Sequence, residues 1–218
     1  MVAVTSAGDQ VFVLRLGSLD VQPCLQQVEV YDAVSCSPSR VYEVHALGDS
    51  YAWGLAVCGH NKCLYVSAKD NRSVYRADLT GGNAVNLPVM KWYVASGPRG
   101  LSVNKEYNVV VACHGENKLQ EYTTRGSLVR EICLQAPTID RPWQALQLST
   151  GEYVVSQDRS PGVVSVVGVD GQVRRSYGQS QTSDVGQIKY LTCLAVAKTT
   201  TFSSLIRATT ESCQWTGH

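Results

Sequence analysis

A short element, Gly54-Leu55-Ala56-Val57, returns as Gly100-Leu101-Ser102-Val103, as Ala145-Leu146-Gln147-Leu148 and as Cys193-Leu194-Ala195-Val196. The anchor leucines 55, 101, 146 and 194 stand 46, 45 and 48 residues apart. No other feature restricts the chain as strongly. A steady period of this length means that one supersecondary unit is used repeatedly. Such a unit buries its apolar faces only by stacking on its neighbours.

The residues after each anchor keep the same phase. A second apolar segment follows at Leu64-Tyr65-Val66-Ser67, at Val109-Val110-Val111-Ala112 and at Tyr153-Val154-Val155-Ser156. Polar turns come next, at Lys69-Asp70-Asn71-Arg72, His114-Gly115-Glu116-Asn117-Lys118 and Asp158-Arg159-Ser160-Pro161-Gly162. Third segments are Val74-Tyr75-Arg76-Ala77, Leu119-Gln120-Glu121-Tyr122 and Ser165-Val166-Val167-Gly168, each followed by a glycine turn. Fourth segments are Met90-Lys91-Trp92-Tyr93-Val94, Leu128-Val129-Arg130-Glu131-Ile132 and Val173-Arg174-Arg175-Ser176-Tyr177. Four short strands per repeat, separated by turn residues, predict the blades of an all-β propeller. The inner strand lacks strict alternation, as expected when both faces are covered, whereas outer strands such as Leu119-Gln120-Glu121-Tyr122 are expected to alternate. Helical repeats would show i, i+3, i+4 stripes, which are missing, and a sandwich would not explain the period.

Residues 10–15, 28–32 and 40–44 match the second, third and fourth strands of an earlier, incomplete blade, with residues 1–8 left for a degenerate first strand. The reading is an incomplete ring of about four to five four-stranded blades over 1–197, then an atypical, truncated tail over 198–218.

Composition agrees: apolar residues are 44% and charged residues 17%, and the formal net charge is +1. That charge sets up no global field toward nucleic acid or an acidic membrane. Met1-Val2-Ala3-Val4-Thr5 lacks a basic, signal-like start, and no run approaches the ~18 apolar residues of a membrane helix. The expectation is a soluble, cytoplasmic protein without membrane contact. Eight cysteines form no CxxC and no zinc-ligand spacing. Cys58 and Cys63 are a close pair. They either meet across a turn, as a disulfide or half a metal site, or lie as buried thiols in neighbouring strands. The thiol reading is preferred, because free cysteine behaves as a small hydrophobe. The sequon Asn71-Arg72-Ser73 would matter only in a secreted protein.

Pro98-Arg99-Gly100-Leu101-Ser102-Val103, Val109-Val110-Val111-Ala112-Cys113 and Lys118-Leu119-Gln120-Glu121-Tyr122-Thr123-Thr124-Arg125-Gly126 together resemble an NHL repeat. Segments 53–66 and 142–171 look like looser copies. The resemblance implies a propeller of usually six blades, often the C-terminal module of tripartite-motif ubiquitin ligases, with protein or RNA bound on one face. Nothing resembles a RING, so ligase activity would lie outside this chain. The ending after Leu194-Ala195-Val196 departs from the family pattern.

Loops between second and third strands are expected to share a face with the blade-to-blade connections. They supply Lys69, Arg72, Arg99, Lys118, Arg141 and Arg159, and also Asp49, Asp70, Glu116, Asp140 and Asp158. Trp53 and Trp143 lie near the same edge, either to anchor a partner or, the preferred reading, to pack between blades. His114 with Glu116 is a weak candidate metal pair; His45 and His60 read as solvated or core histidines. No nucleophile elbow, Walker loop or dinucleotide fingerprint occurs. The expected function is a non-catalytic binding scaffold without cofactor or metal, for a protein partner more than for RNA. The competing classes are a metal-dependent lactonase-like or lyase-like enzyme and a non-functional fragment. Mixed charge favours protein, because an RNA site needs an excess of bases.

Overall fold

Sixteen strands make up all the regular structure of the computed structural model, which describes residues 3–16, 26–44, 52–80, 89–135, 138–158, 162–178 and 194. They form four antiparallel four-stranded sheets in simple up-and-down order. The first holds β1 (Ala3–Ala7), β2 (Gln10–Leu16), β3 (Gln26–Asp32) and β4 (Pro38–Glu43). The second holds β5 (Ala52–Cys58), β6 (Cys63–Ala68), β7 (Ser73–Asp78) and β8 (Val89–Tyr93). The third holds β9 (Pro98–Val103), β10 (Val109–Cys113), β11 (Lys118–Tyr122) and β12 (Leu128–Cys133). The fourth holds β13 (Pro142–Gln147), β14 (Tyr153–Gln157), β15 (Val164–Val167) and β16 (Val173–Tyr177). Inner strands lie side by side, β1 on β5, β5 on β9 and β9 on β13, so the sheets are four blades of an open-ringed β-propeller.

The period-2 geometry of a strand sends alternate side chains to the two neighbouring blades. On β6, Leu64 and Val66 pack against Phe12, Leu14 and Val30 of the first blade, while Tyr65 joins Leu101, Val109 and Tyr122 of the third. On β10, Val109 and Val111 face the second blade and Val110 faces Ala145 and Val155 of the fourth. Each fully buried Leu or Val contributes roughly 1.5–3 kcal/mol. That is why the middle strands read as apolar runs, whereas outermost strands such as β12 and β16, and the inner strand β1 of the first blade, are more exposed.

Turn residues explain themselves locally. Asn104 Oδ1 accepts from the amides of Glu106 and Asn108, and Asp170 Oδ1 from that of Gln172. These short side chains close hairpins by standing in for backbone acceptors. Arg72 and Asn117 end equivalent turns with φ of 49° and 48°, and their carbonyls accept from Val94 and Leu134 beyond the outer strands.

Three sequence expectations change. The opening blade is complete, because residues 3–7 pair with 10–14 as a regular inner strand. The anchor of the fourth blade is Ala145, not Leu146. Ala145 pairs with Val155 as Leu55 pairs with Val66 and Leu101 with Val111. Ala145 is buried while Gln144, Leu146 and Gln147 are half-buried, and the small Ala145 lies beside the larger Leu146, so matching by residue type slips by one. Finally, β11 does not alternate. Gln120 and Glu121 are 2% and 3% exposed, because the third strand of a blade is also covered on both faces.

Cys58 and Cys63 are cross-strand partners, buried and free, as the thiol reading had it. Arg76 Nε donates to Cys63 Sγ at 3.1 Å. Leu194 donates its amide to Gln144 Oε1 at 2.7 Å and packs on Val154, Val164 and Val166. The rest of the fifth repeat and the tail 198–218 lie outside the described residues. Among the described residues no helix is long and apolar enough to cross a membrane.

Candidate functional site

The inner strands of the second, third and fourth blades each carry an irregularity in pairing at the same end. It falls between Ala52 and Gly54 on β5, between Pro98 and Leu101 on β9, and between Pro142 and Gln144 on β13. A bulge re-aims the side chain it carries. The residues at these positions are Trp53, Arg99 and Trp143, one from each of three consecutive blades.

They meet. The Arg99 guanidinium carbon lies 3.7 Å from the Trp53 ring centroid and 4.5 Å from that of Trp143. The two indoles stand edge to face, 6.0 Å apart at 81°. Lys69 Nζ is 5.7 Å from the Trp53 ring. Arg99 is only 7% exposed, and its Nε and Nη1 are covered with no hydrogen-bond partner. Burial pushes its pKa down, against the pull of Asp158 and Asp70, but a guanidinium stays charged.

The backbone under Arg99 is held closely. Ser67 Oγ of β6 donates to the Arg99 carbonyl at 2.5 Å, and Ser102 Oγ donates to that of Ala145 at 2.7 Å. Gly100 has no side chain to spare: a Cβ there would stand 2.6 Å from the Trp143 carbonyl oxygen.

A second tier surrounds the first. Lys69, His114 and Asp158 each follow the last residue of a second strand, so they occupy equivalent positions in three blades. His114 Nε2 and Asp158 Oδ2 are 3.1 Å apart, and His114 stands edge to face with Trp143 at 6.4 Å. Burial lowers the His114 pKa, opposed by its bond to Asp158.

The sequence-predicted residues therefore separate. Trp53, Lys69, Arg99 and Trp143 come together, with the tryptophans packed between blades. Lys118 is tied to Glu116 at 2.6 Å and Glu131 at 3.2 Å. Arg141 is exposed and lies 3.4 Å from Asp140. Arg72 is exposed on its turn. Arg159, Asp49 and His45 lie outside the described residues. His60 stacks on Tyr107 at 4.0 Å on the hairpin turns of the opposite end. Adjacency in sequence pairs His114 with Glu116, whereas in the structure its partner is Asp158, expected only as one acid of this end. The available signal was repeat phase, since His114 and Asp158 open the same turn in neighbouring blades. Among the described residues no group of three or more His, Cys, Asp or Glu side chains could hold a metal.

No family model and no curated protein matches the chain. Solved structures do match. Hydrazine synthase of Kuenenia stuttgartiensis is 19% identical, with a TM-score of 0.56 over 80% of this chain and 47% of that one. A protein of unknown function from Bacteroides thetaiotaomicron is 14% identical, with a TM-score of 0.64 over 88% and 52%. Virginiamycin B lyase from Staphylococcus aureus is 14% identical, with a TM-score of 0.57 over 83% and 70%. The chain thus spans about half the length of the first two and 70% of the third. The likeness is one of fold, that of a β-propeller.

Proposed function

We propose that this chain is a non-catalytic binding scaffold of NHL type, and that the end carrying Trp53, Arg99 and Trp143 faces a protein partner. The observation that supports this reading is the meeting of those three side chains from three blades at equivalent bulges. Arginine and tryptophan are the residue types that concentrate binding energy at protein interfaces. The repeat phase and the blade order fit the NHL pattern on which the sequence resemblance rests.

Charge supports protein over RNA. Described bases at this end are Lys69, Arg72, Arg99, Lys118 and Arg141; described acids are Asp70, Glu116, Asp140 and Asp158. Lys118 and Arg141 are already paired with acids. An RNA site draws most of its affinity from released counterions and needs a larger cationic excess.

Two experiments on the 218-residue chain test the reading. Selection from a random peptide library should yield a consensus with the wild type and none with Lys69→Glu combined with Arg99→Glu. Titration with pooled RNA at ~50 and ~200 mM salt should give only weak binding. Submicromolar RNA binding that collapses across that salt range, and is lost in Arg72→Glu with Arg99→Glu, would replace the protein partner by RNA.

A further inference from the structure

We propose that the open edge of the Arg99 guanidinium, held against Trp53 and Trp143, is a carboxylate-binding subsite that receives an Asp or Glu side chain from an acidic segment of the partner. The proposal rests on the binding-face reading above and specifies its chemistry.

Arg99 is more than nine-tenths buried, yet no described residue accepts a hydrogen bond from it. Buried charges are ordinarily paired, because an unpaired one forfeits its hydration without compensation. The two acids closest in charge do not supply the missing acceptor. Asp158 is turned to His114, and Asp70 makes no hydrogen bond or ion pair with Arg99. Nε and Nη1 are covered, whereas Nη2 makes no hydrogen bond and keeps contact with solvent, so the guanidinium is approached from that edge.

The two indole faces hold the guanidinium by cation–π attraction, but they accept no hydrogen bond from its edge, so its capacity to bind an anion is left unused. The open Nη2 edge can donate to a carboxylate oxygen in a charge-assisted bond, and the flanking indoles suit the methylene groups that carry it. Lys69, beside Trp53, supplies a second cation at the rim, and among the described residues it has no ion-pair partner.

The test uses a capped, fluorescein-labelled peptide of alternating Glu and Ala, its Gln-for-Glu counterpart and a labelled uridine oligonucleotide of equal length. Binding to the wild-type chain is followed by anisotropy at ~50 mM salt, where screening is modest. The Glu peptide should bind about tenfold or more tighter than the Gln peptide, as expected for a charge-assisted bond out of water. The preference should shrink below about threefold in Arg99→Lys, which keeps the charge but loses the planar group that the two indoles hold in place. The comparison of peptides on the wild type stands even if a variant folds poorly. Equal binding of both peptides, weakened by Trp143→Ala, would overturn the carboxylate subsite and leave the protein-binding face intact. Binding of the oligonucleotide in preference to either peptide, lost in Arg99→Lys, would overturn both. Binding of none of the three at ~1 mM, far weaker than a specific contact requires, would overturn the subsite as well.

Discussion

Arg99 and Glu121 are both buried charges of the third blade, and the fold treats them in opposite ways. Glu121 accepts from Asn104 Nδ2 at 2.7 Å, Asn108 Nδ2 at 2.8 Å and Arg130 Nε at 2.6 Å, and from the Tyr153 hydroxyl of the next blade at 3.3 Å. Burial alone would raise its pKa, but the bonds from Asn108, Arg130 and Asn104 hold it below the ordinary carboxylate value. Arg99 has two indole faces and no acceptor. A buried charge with all its partners ties a blade together. A buried charge without an acceptor has only the two indole faces to offset its lost hydration, and its hydrogen-bonding capacity stays unused.

This contrast breaks most easily at Glu121. Glu121→Ala strands the donors of Asn104, Asn108 and Arg130, and should cost about 3 kcal/mol. For a chain of this size that is a melting temperature lower by about 6–12 °C, read by circular dichroism. A wild-type-like melt would mean that the network is ornamental. Gly100→Ala should cost about 2 kcal/mol, because the methyl group pushes β9 off the Trp143 backbone. It should also weaken peptide binding, since it shifts Arg99 without changing its charge. A stable variant with altered binding would sharpen the contrast further.

The second tier gives a smaller effect that depends on pH. His114 has a folded pKa below its ordinary 6.5, chiefly through burial. Its contribution is therefore complete above about 6.5 and is lost as pH falls through the lower folded value. The urea midpoint should decline below about pH 6.5, and His114→Gln should flatten that part of the decline. An unchanged slope in the variant would show that His114 does not couple folding to protons.

Much of the architecture was legible because the period and the strand phase repeat with little error. The inner strands around Leu55 and Leu101 sit where the repeat puts them. The fourth blade slipped by one residue because Leu146, beside the small Ala145, looks like the repeat's anchor leucine although Ala145 holds the anchor's pairing position. Strand β1 read as degenerate because Ala3-Val4-Thr5-Ser6-Ala7 carries small side chains and little hydrophobic signal. Trp53, Lys69, Arg99 and Trp143 were legible as members of one end. Their meeting was not, since it depends on bulges that no residue type announces. Nor was Glu121 recognisable as buried, because its partners come from a turn, an outer strand and the next blade. His114 and Asp158, 44 residues apart, were one repeat from being found.

Whether Arg99 serves binding and not stability is read most directly from Arg99→Met measured two ways on the same preparation. Methionine fills the space between the indoles and removes the desolvated charge, which offsets the lost cation–π attraction. The expected result is a stability within about 1 kcal/mol of wild type, so a melting temperature within about 4 °C, together with at least a tenfold loss of affinity for the Glu peptide. A melting temperature lower by about 8 °C or more with affinity unchanged would contradict it and make Arg99 a structural clamp.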